Sequence, residues 1–269
     1  MLEKGLLQRF FYIIVGCFAL IGFVFTFVFF GMQFGLFNVR GTIDERNDFF
    51  LGSAIVSTDA CTDPCDWNES PEWLTVREGL KKDALIIQKV SEETGVPARL
   101  IAAVVIPEQL RFFTSEREVY KKVFEPLKIL GSLSQFSLGV SGIKLETAIE
   151  IERRTDPSLT HLIAYKEGAD VKKELYDRLT DSTNHYYSYL YTALFIKEIQ
   201  DEWRNAGFPI DTRPGIVATL FNIGFENSRP HANPQIGGAT LSIGSETYTF
   251  GSLAESFYFS DELAALFLK

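Results

Sequence analysis

Residues 90–109 read VSEETGVPARLIAAVVIPEQ, and this stretch decides the fold. It predicts one helix ending at Thr94, a left-handed stop at Gly95, and then a second, short helix. Pro97 falls in the first turn of the second helix, where its missing N–H would be unpaired anyway. Pro107 removes a backbone hydrogen bond, so this helix is expected to kink or end where Glu108 is presented.

Glu108 lies on an apolar face of that second predicted helix. Helical spacing from Ile101 reaches Val104, Val105 and then Glu108. A carboxyl group on an apolar face is expected to have a raised pKa, which is what a general acid needs. The same pattern also fits a buried Glu paired with an Arg, or a Glu at a frayed helix end, and the local sequence leaves these alternatives open.

The N-terminus carries a long apolar segment. Residues 10–30, FFYIIVGCFALIGFVFTFVFF, contain no charge and are long enough, as a helix, to cross a hydrocarbon core of roughly 30 Å. Since no small-x-small cleavage site follows, they predict an uncleaved transmembrane signal anchor, with a buried Phe-rich core helix as the alternative. Lys4 and Arg9 precede the segment and the next cation is Arg40. Residues 1–9 are therefore expected in the cytoplasm and the chain beyond the anchor outside it.

Composition limits the class of partner. The chain has 269 residues, a net charge of −9 and a sequence pI of about 5.0, which argues against nucleic acid. Outside the cytoplasm a disulfide is the natural reading of Cys61 and Cys65, because two thiols without a nearby His supply too few ligands for a metal. The three histidines are scattered and the common nucleotide, metalloprotease and hydrolase motifs are missing, so no metal or cofactor is expected.

Residues 31–70 are interpreted as a juxtamembrane linker and residues 71–269 as one mainly helical domain. A helix should start at the cap Ser70-Pro71-Glu72. The longest helix should run from Thr183 to Arg204, with an apolar arc so broad that it indicates a central position. Alternation around Gly244-Ser245 predicts one small β-hairpin. Further helices are predicted from about Lys144 to Arg153, from Asp156-Pro157, from Thr212 and Pro214 to Gly224, and from Ser260 to Leu268.

Four segments of the chain, taken in order, resemble the soluble lytic transglycosylase family of the lysozyme-like superfamily. They are GVPARLIAAVVIPEQ, SLGVSGIKLETA, the Tyr-rich long helix and ATLFNIG, and they span roughly residues 75–230. The resemblance implies a mainly α, lysozyme-like α+β fold with Glu108 as the catalytic acid. It also implies a groove formed by the loop from Gly139 to Thr147-Ala148 and by the segment Phe221-Asn222-Ile223-Gly224.

The chain departs from the family pattern at three positions. Gln109 replaces the Ser that usually follows the acid, Gly142 stands where the family has a sugar-binding Gln, and Phe221 replaces a Tyr that hydrogen-bonds near the catalytic Glu. These changes leave open a weakened enzyme or a fold retained only for binding. The predicted substrate-binding residues are Gln109, Gln135, Ser137, Ser141, Tyr187, Phe221 and Asn222.

The resemblance implies cleavage of peptidoglycan without a cofactor. Glu108 would protonate the oxygen between N-acetylmuramic acid and N-acetylglucosamine, and would then take the C6 hydroxyl proton as a 1,6-anhydro ring closes. The substrate's acetamido group would stabilise the positive charge. No second carboxylate is then required, and none is predicted at a comparably placed buried position.

The implied protein is a single-pass component of the bacterial cytoplasmic membrane, with its catalytic domain in the periplasm. Its partners would be glycan strands and, through residues 10–30, the membrane, with a cell-envelope protein complex as a further candidate. The loop NSRPHANPQIGG, with Arg229 and His231, is either a rim that meets peptide stems or a plain Pro/Gly loop. The alternatives to a lytic transglycosylase are an inactive peptidoglycan-binding module and a hydrolytic muramidase.

Overall fold

The computed structural model describes residues 66–114, 137–243 and 246–268, with single helical positions between Tyr12 and Thr26. The chain divides into two units, residues 1–39 and 40–269. Among the described residues the second unit has eight α-helices and two small sheets, so it is mainly helical, as predicted. In chain order the elements are α1 (Pro71–Lys82), α2 (Ala84–Thr94), α3 (Ala98–Thr114), β1 (Ser137–Leu138), β2 (Ile143–Lys144), α4 (Leu145–Arg154), α5 (Val171–Thr180), α6 (Tyr186–Asn205), α7 (Pro214–Ile223), β3 (Thr240–Ile243), β4 (Glu246–Thr249) and α8 (Phe250–Phe259).

Several predictions fall on other parts of the chain. The anchor at residues 10–30 and the linker at residues 31–70 lie mostly outside the described residues, and Cys61 and Cys65 lie entirely outside them. Within the residues that are described, no helix has the length and apolar character needed to cross a membrane.

The predicted boundaries around α1 and α2 are confirmed. The Ser70 hydroxyl accepts a hydrogen bond from the Trp73 N–H at 3.1 Å and so caps α1. Gly95 ends α2 with a φ of 73°, the left-handed backbone that glycine adopts without strain. Between the two helices lies Asp83, buried at 2% exposure, where its carboxylate accepts hydrogen bonds from His185 and Tyr189.

Helix α3 is longer than predicted and forms the centre of the domain. Of the two outcomes expected at Pro107, a kink or an end, the end is wrong, because the helix continues to Thr114 with Pro107 in its interior. Residues 101–106 are fully buried, and α3 packs against α1, α2, α6, α7, α8 and β3. Contacts on so many sides hold the helix together across the one backbone bond that the proline removes.

The middle of the chain follows the predicted helices with one exception. Helices α4, α6 and α7 match, and α6 is the longest described helix. The helix predicted from Asp156 is wrong: the Asp156 carboxylate accepts bonds from the N–H and hydroxyl of Ser158, which stabilises a turn instead. The next helix is α5, which begins after its cap, Asp170.

The described part of the chain contains two hairpins where one was predicted. Strands β3 and β4 pair antiparallel with Leu241 opposite Tyr248, which confirms the predicted hairpin; its turn residues lie outside the described residues. Strands β1 and β2 form a second, shorter pair. Its turn contains Gly139 and Gly142, both with positive φ, so glycines make this tight turn possible.

The helix predicted from Ser260 to Leu268 is wrong. Helix α8 ends at Phe259 instead, after starting in a capping box between Thr249 and Ser252. The buried guanidinium of Arg99, on α3, donates to four carbonyl oxygens in and just after the last turn of α8. In a continued helix these carbonyl oxygens would accept backbone N–H groups. Here they accept the Arg99 guanidinium instead, and the carbonyls concerned are those of Phe257, Tyr258, Ser260 and Glu262.

Candidate active site

Glu108 lies at the wall of a groove. Its side chain is 12% exposed, and the apolar residues one turn before it on α3, Val104 and Val105, are fully buried. The groove has a volume of about 970 Å³, which is large enough for a drug-sized or oligosaccharide ligand. The predicted apolar helix face is therefore present, and it delivers one carboxyl group to an open cavity.

The groove is formed by the segments that the sequence singled out. One side comes from the β1–β2 turn and the start of α4, including Ser141, Gly142 and Thr147. The opposite side comes from the end of α7 and the residues after it, including Phe221, Asn222 and Gly224. Segments far apart in the chain thus meet around Glu108.

Gly142 touches the Glu108 side chain directly. A Cβ built at Gly142 would lie 2.2 Å from Glu108 Oε1 and 2.4 Å from its Cδ, and the Gly142 φ is +65°. Both the backbone conformation and the close approach favour glycine. No side chain at this position can share the space with the present Glu108 conformer, which gives a physical reason for a glycine here.

Arg111 is a site residue that the sequence analysis missed. Its Nη2 donates to Glu108 Oε1 at 2.7 Å, and both side chains line the groove. The three-residue spacing on one helix is the signal that could have found it, since such pairs face each other. The Glu–Arg pairing raised as an alternative interpretation is therefore present, within the groove.

Phe221 and Asn222 form part of the opposite wall. Phe221 is 9% exposed and packs on Phe195 with ring centroids 5.0 Å apart, so it supplies an apolar surface. The Asn222 Oδ1 accepts the Ala239 N–H at 2.8 Å. Asn222 thereby fixes the end of the loop that follows α7, which leaves its amide N–H groups as its donors toward a ligand.

The remaining predicted binding residues are placed differently. Ser141 lines the groove, and its hydroxyl donates to the Ser188 carbonyl at 3.1 Å. Gln109 is 2% exposed, and its Oε1 has no hydrogen-bond partner among the described residues. The Tyr187 ring lies under the Arg178 guanidinium at 4.5 Å. Neither Gln109 nor Tyr187 lines the groove, and neither does Ser137, which lies in β1; Gln135 is outside the described residues.

Further charged residues line the groove on α4 and just before it. They are Lys144, Glu146, Glu150 and Arg154. Hydrogen bonds from Arg153 and then Arg154 lower the pKa of Glu150 to about 2. The sequence analysis expected no second acid at a comparably placed buried position; Glu146 is exposed and the Glu150 side chain is 30% exposed, so neither contradicts that expectation.

Half-buried carboxyl groups also occur away from the groove. Glu152 accepts hydrogen bonds from the hydroxyls of Tyr165 and Tyr191, and burial raises the pKa of both tyrosines. Burial also raises the pKa of Glu198, on α6, to about 7. Neither acid lines the groove. In the described part of the chain no cluster of three or more His, Cys, Asp or Glu residues could hold a metal ion.

The loop NSRPHANPQIGG, interpreted either as a rim for peptide stems or as a plain Pro/Gly loop, is held against the domain. Its His231 ring packs on Trp203 with centroids 5.7 Å apart, and Trp203 donates to the Ser228 hydroxyl. The Gly237 N–H donates to the Thr219 hydroxyl at 3.0 Å. These contacts give the loop a structural role.

Comparisons with known proteins do not add a relative: no family model, curated protein or solved structure matches this chain.

Proposed function

We propose that this chain is a membrane-anchored peptidoglycan lytic transglycosylase with a lysozyme-like domain outside the cytoplasm and Glu108 as its single catalytic acid and base. The observation that carries the proposal is the convergence of two separated motifs on the carboxyl group that a third motif supplies. The β1–β2 turn, the start of α4 and the end of α7 all line the groove that contains Glu108. These are the segments that resemble the family, in the same order.

The proposed reaction needs one group that first gives and then takes a proton. Glu108 protonates the glycosidic oxygen between N-acetylmuramic acid and N-acetylglucosamine as that bond breaks. The substrate's acetamido group stabilises the positive charge at C1. Glu108 then accepts the proton of the C6 hydroxyl, whose oxygen attacks C1 and closes the 1,6-anhydro ring without water. No cofactor takes part.

The pairing with Arg111 sets a condition on this mechanism. Arg111 donates a hydrogen bond to Glu108 Oε1, while Oε2 has no hydrogen bond to another described residue. Either substrate is protonated through Oε2, or the ligand displaces Arg111 and frees both oxygens. In the first case Arg111 also orients the carboxyl group during the reaction, because an Arg–carboxylate bond is directional as well as charged.

The test is product analysis with the full-length chain in detergent. Incubated with purified sacculi, the wild type should release anhydromuropeptides, identified by mass, and Glu108→Gln should release none. Glu78→Gln is the matched control, since Glu78 lies on α1 in a surface pair with Lys81 and does not line the groove. A folded wild type that binds sacculi but gives no product would reject the enzyme. A product heavier by one water would identify a hydrolytic muramidase instead.

Two observations favour a second candidate, a catalytically inactive peptidoglycan-binding module of a cell-envelope complex. Glu108 is already paired with Arg111, and Phe221 lacks the hydroxyl that the family places near its acid. This candidate predicts that sacculi capture wild type and Glu108→Gln equally, with no product from either. Loss of capture in a folded wild type would reject it.

A further inference from the structure

Arg154 occupies the end of α4 and lines the groove that contains Glu108. Its guanidinium is held on two sides: Nε donates to Glu150, and Cζ lies 4.5 Å from the centre of the Phe225 ring. The Phe225 ring itself packs on the Phe195 ring, with the two ring centroids 4.2 Å apart. An arginine held in this way loses little conformational entropy when a ligand binds.

The charges around Arg154 do not cancel. Glu150 accepts hydrogen bonds from both Arg153 and Arg154, so two guanidinium groups share one carboxylate. The two arginines lower the pKa of Glu150 to about 2, and the three groups therefore carry one net positive charge. Glu198 is a further carboxyl group that interacts with Arg154, and with its pKa raised to about 7 it is partly protonated near neutral pH.

The donors that remain on Arg154 match a carboxylate. Its side chain is 36% exposed, and no hydrogen bond to another described residue uses Nη1 or Nη2. A guanidinium fork binds a carboxylate through two parallel N–H···O bonds, which a single ammonium group cannot do. In a chain with a net charge of −9, the open edge of this fork offers an anionic ligand a cation inside the groove.

We propose that Arg154 binds a carboxylate group on the peptide stems of the glycan, in the same groove as Glu108. This inference rests on the proposed function for the identity of the glycan. It makes Arg154 a residue that distinguishes glycan with acidic stems from bare glycan, and it assigns Arg154 no step in the chemistry.

The test measures binding with the full-length chain in detergent, in a Glu108→Gln background so that the ligand is not consumed. Three probes are compared: glycan strands from sacculi with their stems, the same strands after an amidase has removed the stems, and strands whose stem carboxylates have been converted to amides. The third probe keeps the size of the stem and removes only its charge. Arg154→Gln is compared with Arg153→Gln, which loses the same charge and removes two hydrogen bonds to Glu150 where Arg154→Gln removes one. Arg153 is 68% exposed and does not line the groove.

Arg154→Gln should weaken binding of the acidic-stem strands by about tenfold or more, the size expected for losing a charge-assisted bidentate contact. It should leave the other two probes nearly unchanged, while Arg153→Gln should keep wild-type affinity within about twofold for all three. Arg154→Lys preserves the charge without the fork, and it should lose an intermediate amount of affinity for the acidic-stem strands. This variant keeps the proposal testable if Arg154→Gln fails to fold.

Equal losses for all three probes, or equal losses for the two Gln variants, would overturn the proposal. A chain that binds no glycan would overturn both this inference and the proposed function. Stem-dependent binding by a wild type that yields no product would overturn only the enzymatic activity.

Discussion

The side chain of Glu108 lies against the backbone of Gly142, so closely that a Cβ at Gly142 would be 2.2 Å from Glu108 Oε1. The contact joins the buried helix α3 to a two-glycine turn from a different part of the chain. It fixes one face of the carboxyl group, and the bond from Arg111 fixes Oε1.

Gly142→Ala should reduce product release from sacculi strongly while costing only about 1 kcal/mol of stability. The stability cost comes from placing a side chain at positive φ. The three heavy atoms nearest the added methyl all belong to the movable Glu108 side chain, which would therefore shift away from its position in the groove.

Gly95→Ala is the matched control for that prediction. Gly95 has a similar φ of +73°, but a Cβ there would have nothing within 4 Å. Both variants should lose similar stability in thermal unfolding, and only Gly142→Ala should lose activity. Equal activity in the two would mean that the contact with Gly142 does not position Glu108.

Sequence predicted those features that depend on local chemistry. The hydroxyl cap at Ser70, the left-handed stop at Gly95 and the start of α7 at Pro214 each need only a few neighbouring residues. The predictions that failed depend on distant partners. Helix α3 passes Pro107 because six other elements enclose it, and α8 ends where Arg99, about 160 residues earlier in the chain, binds its carbonyls.

The site follows the same division. Glu108, Phe221 and Asn222 were identified because their motifs are local, and the structure brings them into one groove. Gln109 and Tyr187 were misplaced because a broad apolar arc does not tell which side of a helix faces a cavity. No sequence motif identifies Arg154 as a groove residue, because its guanidinium packs on the ring of Phe225, which lies about 70 residues later in the chain.

Arg99→Met should be among the most destabilising single substitutions in the domain, by at least about 3 kcal/mol in denaturant unfolding. Arg99 is fully buried and donates to four carbonyl oxygens, which methionine would leave unpaired. Arg204→Gln should cost under about 1 kcal/mol, because Arg204 is 50% exposed in its pairs with Asp201 and Asp211. Similar costs for the two would show that the Arg99 bonds contribute little.

Glu198→Gln should stabilise the protein more at about pH 8 than at about pH 5. The folded chain raises the pKa of Glu198 from 4.5 to about 7, so between these values the unfolded chain releases the proton while the folded chain keeps it. Stability therefore falls as pH rises through this window, and the full cost is present above pH 7. Glutamine removes the cost because it cannot ionise.

Thermal unfolding of wild type and Glu198→Gln across this pH range measures the effect. Glu92→Gln, at an exposed position on α2, should show no such trend. A difference between wild type and Glu198→Gln that is the same at both ends of the range would contradict the prediction.

Phe221→Tyr should raise the rate of product release several-fold if the resemblance to the transglycosylase family extends to its chemistry. Phe221 lines the groove and keeps 9% of its surface exposed, so a hydroxyl added to the ring has access to the groove and restores the hydrogen-bonding group that the family places near its acid. Phe257→Tyr is the control, because Phe257 is fully buried and does not line the groove. Its new hydroxyl would be buried, which lowers stability by about 1–3 kcal/mol without a gain in rate. An unchanged rate in a stable Phe221→Tyr would mean that the missing hydroxyl does not limit Glu108, and would direct attention to the bond from Arg111.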